Sequence, residues 1–345
     1  MTRRTLFLDR SPGETRGVVM LDGLPERLIL RREGDDPKLW QGARLAARVA
    51  SLEPAMGAAF LDLGGARALL PFKPDARPSV GAFLEIEIRN EPRRGKLAVA
   101  RVLGAAEGPP RLLAEAPDVE AQLLGFARDA EIVTGPAARR AADEAEAEVL
   151  EAVHPLPGGG SLAIEPTRAL VAVDVDLGER KGGDSKRAAR QANLAAITAA
   201  ARLLRLKGLG GIVVLDLVGR GHDGTALLAA ARAAFGADNP GVAIGPVGRF
   251  GTMEISIPRR SRPVAEILLD ETGRFAAPSL AHRLLRRMAA EAEAQRGARI
   301  VGRCAPDVAE AAAPFIERLA GAFGARFRIV PDPSCPRDRV EAVRE

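Results

Sequence analysis

The sequence reads as a multidomain protein of mixed α/β and α+β class, and three patterns predict this. Between about 38 and 104, five short apolar runs are separated by Gly, Pro and Asn turns, the spacing of a small OB-type β-barrel. Further on, two β-branched runs, Val171–Asp176 and Ile212–Asp216, flank a helical pattern at roughly 184–206. Near the C-terminus, the run Arg299–Cys304 opens a compact β-α-β segment.

The elements follow in order. Runs at 5–9, 16–23 and 27–32 alternate strands with turns and need another surface to pack on, and GlyAspAspProLys (34–38) breaks them from the barrel. GlyAlaAlaGluGlyProPro (104–110) is the next linker. Residues 111–150 read as mostly helical, with an Ala/Glu/Arg-rich amphipathic run at 137–152 expected to face solvent. ProLeuProGlyGlyGlySer (155–161) is a tight turn before the acidic strands. GlyArgGlyHisAspGly (219–224) is a loop leading to an Ala-rich helix that ends near 236. Residues 242–256 form two strands about a Gly-rich turn, and a helix covers 279–296.

At 345 residues the chain holds two or three cores, and 47% hydrophobic with 28% charged residues is a globular composition. No apolar run has the length of a membrane span, and the start is too short and too soon acidic for a secretory signal. A cytoplasmic location is expected. Cys304 and Cys335 lack metal-type spacing and read as reduced thiols. The net charge of +5 and pI of about 9.7 permit a polyanionic partner without demanding one. With 3% aromatics and no Tyr, the composition argues against a broad base-stacking platform.

The chemistry concentrates around the two acidic strand ends. Aspartate is a poor strand residue, so two apolar runs that each stop on one require a reason. If the strands lie side by side, Asp174 and Asp216 face each other, and two such carboxylates repel unless a cation separates them. Hard oxygen donors favour Mg²⁺ or Mn²⁺, and that arrangement suits attack of water on a phosphodiester. The plainer reading makes each aspartate a turn or helix cap. Gly182 and Gly183, in LysGlyGlyAsp (181–184), let backbone amides approach an anion, with Arg180 and Lys181 adding positive charge. Asp184 is either the N-cap of the following helix or a supporting ligand. Asn193 either donates to a carboxylate or satisfies a buried backbone group. Arg205 and Lys207 either touch RNA or favour the C-terminus of their helix.

These motifs, taken together and in this order, resemble the bacterial ribonuclease E/G family. The resemblance rests on AlaLeuValAlaValAspValAsp (169–176), LysGlyGlyAsp (181–184), AlaAsnLeuAlaAla (192–196), the run from Leu204 to Asp216, GlyArgPheGlyThrMetGluIleSer (248–256) and the barrel segment 53–64. It implies an OB-type RNA-binding barrel (38–105) inserted in an RNase H-like subdomain (1–37 and 106–154). A DNase I-like catalytic domain (155–275) and a small C-terminal α/β domain (276–345) would follow. It further implies an endoribonuclease that cuts single-stranded RNA with Mg²⁺ and leaves 5′-phosphate and 3′-hydroxyl ends. Asp174 and Asp216 match the family's metal-binding aspartates. Asp176 stands where the family has Asn, as a third ligand or an added charge. Phe60 matches a base-stacking aromatic, and a second such position is Leu69 or Leu70 here.

Two departures carry weight. ArgArgSerArgProValAla (259–265) stands where the family has a zinc-linking Cys-Pro-x-Cys motif, so no zinc and no zinc-bridged dimer are expected. A monomer, or an oligomer joined otherwise, remains. The 5′-monophosphate sensor also lacks a counterpart, which implies indifference to the 5′ end.

Arg44, Arg48 and Arg67 on the barrel, and Arg93, Arg94 and Lys96 in its last hairpin, are phosphate-contact candidates or solvated surface. Arg249 is a candidate to position RNA, whereas Phe250 leans towards the core. His222 is either a proton shuttle or an incidental loop residue, and His154 and His282 give no signal. Besides a nuclease acting on mRNA or an rRNA precursor, two functions compete. One is a non-catalytic RNA-binding or ribosome-maturation factor; the other, a phosphatase or DNase, leaves the barrel unexplained.

Overall fold

A computed structural model describes residues 4–178, 185–236, 241–295 and 297–345. Three antiparallel strands, β1 (Arg4–Ser11), β2 (Glu14–Leu21) and β3 (Leu24–Arg32), open the chain. Six strands follow: β4 (Arg44–Glu53), β5 (Ala58–Asp62), β6 (Arg67–Pro71), β7 (Phe83–Asn90), β8 (Ala98–Ala105) and β9 (Arg111–Ala114). Five of them close a barrel in the order β5-β6-β8-β7-β4, with β4 pairing back to β5 and β9 appended to β4. Closure removes free edges, and the barrel has its own core around Leu45, Leu61, Ile86 and Ile88.

The chain then returns to its first sheet. Helix α1 (Val119–Phe126) leads to β10 (Ile132–Val133), which pairs parallel with β1, and α2 (Pro136–Leu150) packs on β1, β2 and β3. The span 111–150 is mostly helical as expected, but two details differ. Residues 111–114 are a barrel strand, and α2 does not face solvent, because it buries Ala138, Ala141, Ala142, Ala145 and Val149. An Ala stripe is weakly apolar in sequence yet allows close backbone approach, so its burial is set by the partner sheet.

Strands β11 (Val153–Pro155), β12 (Ser161–Pro166), β13 (Val171–Asp176), α3 (Ser185–Lys207), β14 (Gly211–Asp216), α4 (Gly224–Gly236), β15 (Ala243–Val247) and β16 (Thr252–Ile257) build a six-stranded sheet. Its order is β11-β12-β13-β14-β16-β15, with β13 and β14 parallel. Strand β13 alternates strictly: Val171, Val173 and Val175 are buried, while Asp174 and Asp176 are exposed. Helix α3 lies on the buried face against β12 and β13, and its other side meets α2 and β3. One continuous core therefore joins the first sheet to the acidic one. The opposite face carries Glu165, Asp174, Asp176, Ile212, Asp216, Glu254 and Ser256, all exposed.

The remaining elements are α5 (Val264–Leu268), α6 (Ala277–Ala294), β17 (Ile300–Cys304), α7 (Pro306–Ala312), α8 (Ile316–Phe323), β18 (Phe327–Pro331) and β19 (Glu341–Arg344). Their sheet, β18-β17-β19, has a separate core under α6. A buried charge network ties α6 back to the N-terminal sheet. Arg16 donates to Asp9 (2.6 Å), Asp143 (2.7 Å) and Glu146 (3.2 Å), while Arg286 bridges Glu14 and Glu146.

Candidate active site

The parallel pairing of β13 with β14 places Asp174 opposite Asp216 in register. Adjacent strands lie about 4.8 Å apart, and in-register residues share a face, so both carboxylates leave the sheet side by side. Their poor strand propensity is tolerated because that face is open to water. Among the described residues no group of three or more His, Cys, Asp or Glu converges on a metal position. Two adjacent hard oxygen donors on an open face fit a divalent cation whose other ligands are water or phosphate oxygens.

Asp176 is different. Its Oδ1 accepts the Gly178 amide at 2.8 Å, so it closes a turn at the exit of β13. The plain turn-cap reading holds for it, and the described residues do not assemble it with the other two as a third ligand. Gly160 sits against this exit with φ +78; a Cβ there would meet the Asp176 carbonyl oxygen at 2.3 Å. Lys181 and Asp184, with Arg180, lie outside the described residues.

The exit of β14 is clamped from two sides. Asn193, buried on α3, donates from Nδ2 to the Val218 carbonyl (3.0 Å) and accepts the Val218 amide at Oδ1 (3.1 Å). Of its two sequence readings, satisfaction of buried backbone is the observed one. Leu217 donates its amide to the Gly251 carbonyl (3.2 Å), and Thr252 pairs with Asp216. The β15–β16 turn is thus fixed to the strand that carries Asp216. Gly251 has φ +87, and a Cβ there would lie 3.1 Å from His222 Nε2, so His222 packs on this turn. Phe250 is not core: 78% of it is exposed, with the Arg249 guanidinium 4.5 Å from its ring centre. Position at a hairpin tip is invisible to composition, and nothing local distinguished it from a buried Phe.

Several basic candidates have structural partners. Arg205 pairs with Glu26 (2.9 Å) and donates to the Ala234 carbonyl. Lys207 is buried and donates to the Val149 and Glu151 carbonyls at the end of α2. Burial pushes its ammonium down to about 8, against the pull of Glu148 and Glu151. Neither residue is available to RNA. Arg94 donates to the Asp270 carbonyl (2.9 Å), and its amide meets Glu266, joining the barrel hairpin to α5. Arg44 is paired with Glu85.

On the barrel, Phe60 lies opposite Leu69 on the outer face, whereas Leu70 is buried. Arg67 covers the Phe60 ring at 5.3 Å, and Arg48 is exposed in the same row of strands. Phe60, Arg93 and Lys96 line a 590 Å³ cavity shared with Arg168, Leu170 and Arg259. That cavity meets β13 at Val171, three residues or about 10 Å from Asp174. Barrel and carboxylates therefore occupy opposite ends of the same strands. Arg168 and Arg259 were missed in sequence, although Phe60, Arg93 and Lys96 of the same cavity were not; only the run of arginines at 259–262 hinted at Arg259.

Residues 137–260, which include both carboxylates and all of the acidic sheet, match the Ribonuclease E/G family. This segment is a ribonuclease E/G family domain. Ribonuclease E of Escherichia coli is 36% identical over 114 residues, 32% of this chain and 11% of that protein. A chloroplastic ribonuclease E/G-like protein of Arabidopsis thaliana is 35% identical over 122 residues, 34% of this chain and 12% of its own length. Ribonuclease E of Haemophilus influenzae shares 36% over 118 residues, 32% of this chain and 12% of that protein. The chain thus covers about an eighth of the length of these curated relatives. No helix among the described residues is long and apolar enough to cross a membrane.

Proposed function

We infer that this chain is an endoribonuclease that cuts single-stranded RNA by metal-assisted hydrolysis, leaving 5′-phosphate and 3′-hydroxyl ends. The observation that carries this reading is the in-register pair Asp174 and Asp216 on an open sheet face, within the segment that matches the family. The domain reading that goes with it makes β1–β3, β10 and α2 RNase H-like and the acidic sheet DNase I-like.

Asp174 and Asp216 would hold Mg²⁺ or Mn²⁺, which supplies Lewis-acid polarisation of the phosphate and a water of lowered pKa. The protein's own contribution is position. Asn193 and Gly251 fix the strand exit beside Asp216, so the carboxylate does not reorganise when substrate arrives. Arg249 is exposed beside that exit and would meet backbone phosphate. Phe60, Arg48, Arg67, Arg93 and Lys96 would hold the strand farther along, on the barrel and its cavity. The enzyme would act without sensing the 5′ end, on mRNA or rRNA precursor in the cytoplasm.

The test is cleavage of a 5′-labelled A/U-rich single strand with Mg²⁺ or EDTA, beside Asp174→Asn and Asp216→Asn. Discrete Mg²⁺-dependent products that vanish in both variants, with RNA affinity unchanged, are expected. Wild-type rates in both variants would remove the proposed metal site. Binding without any cleavage would favour an RNA-binding factor descended from a nuclease.

A further inference from the structure

Phe250 is the one aromatic among the strongly exposed large apolar residues described, in a chain with 3% aromatics and no Tyr. Its ring adds nothing to the core. Its setting is nonetheless rigid: Gly248 donates to the Thr252 carbonyl (2.8 Å), Gly251 to that of Gly248 (3.0 Å), and Leu217 to that of Gly251. The Arg249 guanidinium lies over the ring at 4.5 Å, which leaves the rest of the ring to solvent. Thr252 is paired with Asp216, and Phe250 is two residues away along the chain. Its Cα is thus within about 12 Å of the Asp216 Cα. An exposed, pre-oriented ring beside a phosphate-cleaving carboxylate pair is placed to meet a base, and every base offers a π-face.

We propose that Phe250 is a stacking platform for one unpaired nucleobase flanking the scissile phosphate, with Arg249 on the adjoining backbone. The proposal rests on the endoribonuclease reading and adds a recognition step to it. The barrel's outward aromatics, Phe60 facing Leu69 and Phe83 facing Arg48, are each half-buried, whereas Phe250 is 78% exposed, so stacking capacity shifts towards the cleavage edge. The platform demands that one base be splayed out of any helix, and it is tolerant of which base it is. Selectivity for single strands then resides beside the cut rather than only in the barrel.

The experiment uses the full chain with Phe250→Ala and Phe250→Trp, on RNAs carrying one abasic residue at each position around the cut. Phe250→Ala should lower kcat/KM about 5- to 100-fold, mostly through KM, and Phe250→Trp should restore it. One abasic position should cost the wild type a similar factor and cost Phe250→Ala nothing further. Equal abasic penalties in both proteins would overturn the proposal. A second readout does not need cleavage: in the Asp174→Asn chain, 2-aminopurine at that position should be quenched on binding, and the quenching should be lost on adding Phe250→Ala. Quenching that survives would also overturn it. Absence of cleavage in the wild type, by contrast, would remove the nuclease reading and leave the quenching test standing.

Discussion

Asn193 connects the helix behind the sheet to the strand end in front of it, through both halves of the Val218 peptide group. Asn193→Ala should lower stability by about 1–3 kcal/mol, because two half-buried backbone groups lose their partner. Cleavage should fall further than the unfolded fraction explains; single-turnover rates well below Tm, set against the Tm itself, would check this. A second buried group predicts a pH response. Burial pushes His282 down to about 4, with Arg32 and Arg286 adding to the effect and Glu14 opposing it. An unfolded His takes up its proton near 6.5 and the folded one does not until about 4. The associated stability is therefore intact above pH 6.5 and lost as pH falls towards 4, by up to about 3 kcal/mol. Burial raises Glu14, but Arg286, Arg32, His282 and Arg16 bring it to about 2, so its contribution is lost lower, between pH 4.5 and 2. Melting curves from pH 8 to 3.5 should show the first decline, and His282→Gln should flatten it. At this scale the side-by-side placement of Asp174 and Asp216 was legible because an Asp ending a β-branched run is a local signal. Arg205 and Lys207 lie in the last turn of α3, as one of their two readings has it, but their partners, Glu26 and the end of α2, were not legible because they are remote in sequence.

The β15–β16 hairpin is tied directly to the strand end that carries Asp216. Gly251→Ala should destabilise by about 1–2 kcal/mol, since φ +87 is a left-handed conformation and His222 Nε2 crowds the added carbon. Activity should drop more than stability, as the turn tilts relative to Asp216. Gly248→Ala is the control: its φ is ordinary and its nearest neighbour lies at 3.5 Å, so Tm should hardly change. Strand and helix positions in this region were readable from period-2 and period-3.6 patterns. The face each helix buries was less so. Helix α2 reads as a charged surface helix, yet its Ala stripe closes the first sheet, and only the pairing of β10 with β1 brings that sheet within reach.

Across the whole molecule, the network of Arg16, Arg286, Glu14 and Glu146 joins the first strands to α6. Arg286→Met removes one partner and leaves Glu14 and Glu146 under-compensated, a loss of about 3–5 kcal/mol measurable by urea unfolding. A chain cut after residue 275 should be poorly soluble for the same reason. The barrel strands, by contrast, occupy 44–114 in one block with their own core, and their presence was legible in sequence. The order of synthesis gives this arrangement a further meaning. The barrel can close as soon as its own strands have left the ribosome, since all its partners are neighbours. The strands made before it cannot: β1 lacks β10 until 126 residues after Leu6, and Glu14 lacks Arg286 until 272 residues after it. During translation these strands are made before the barrel yet finished after it, and their open edge needs shielding until β10 emerges.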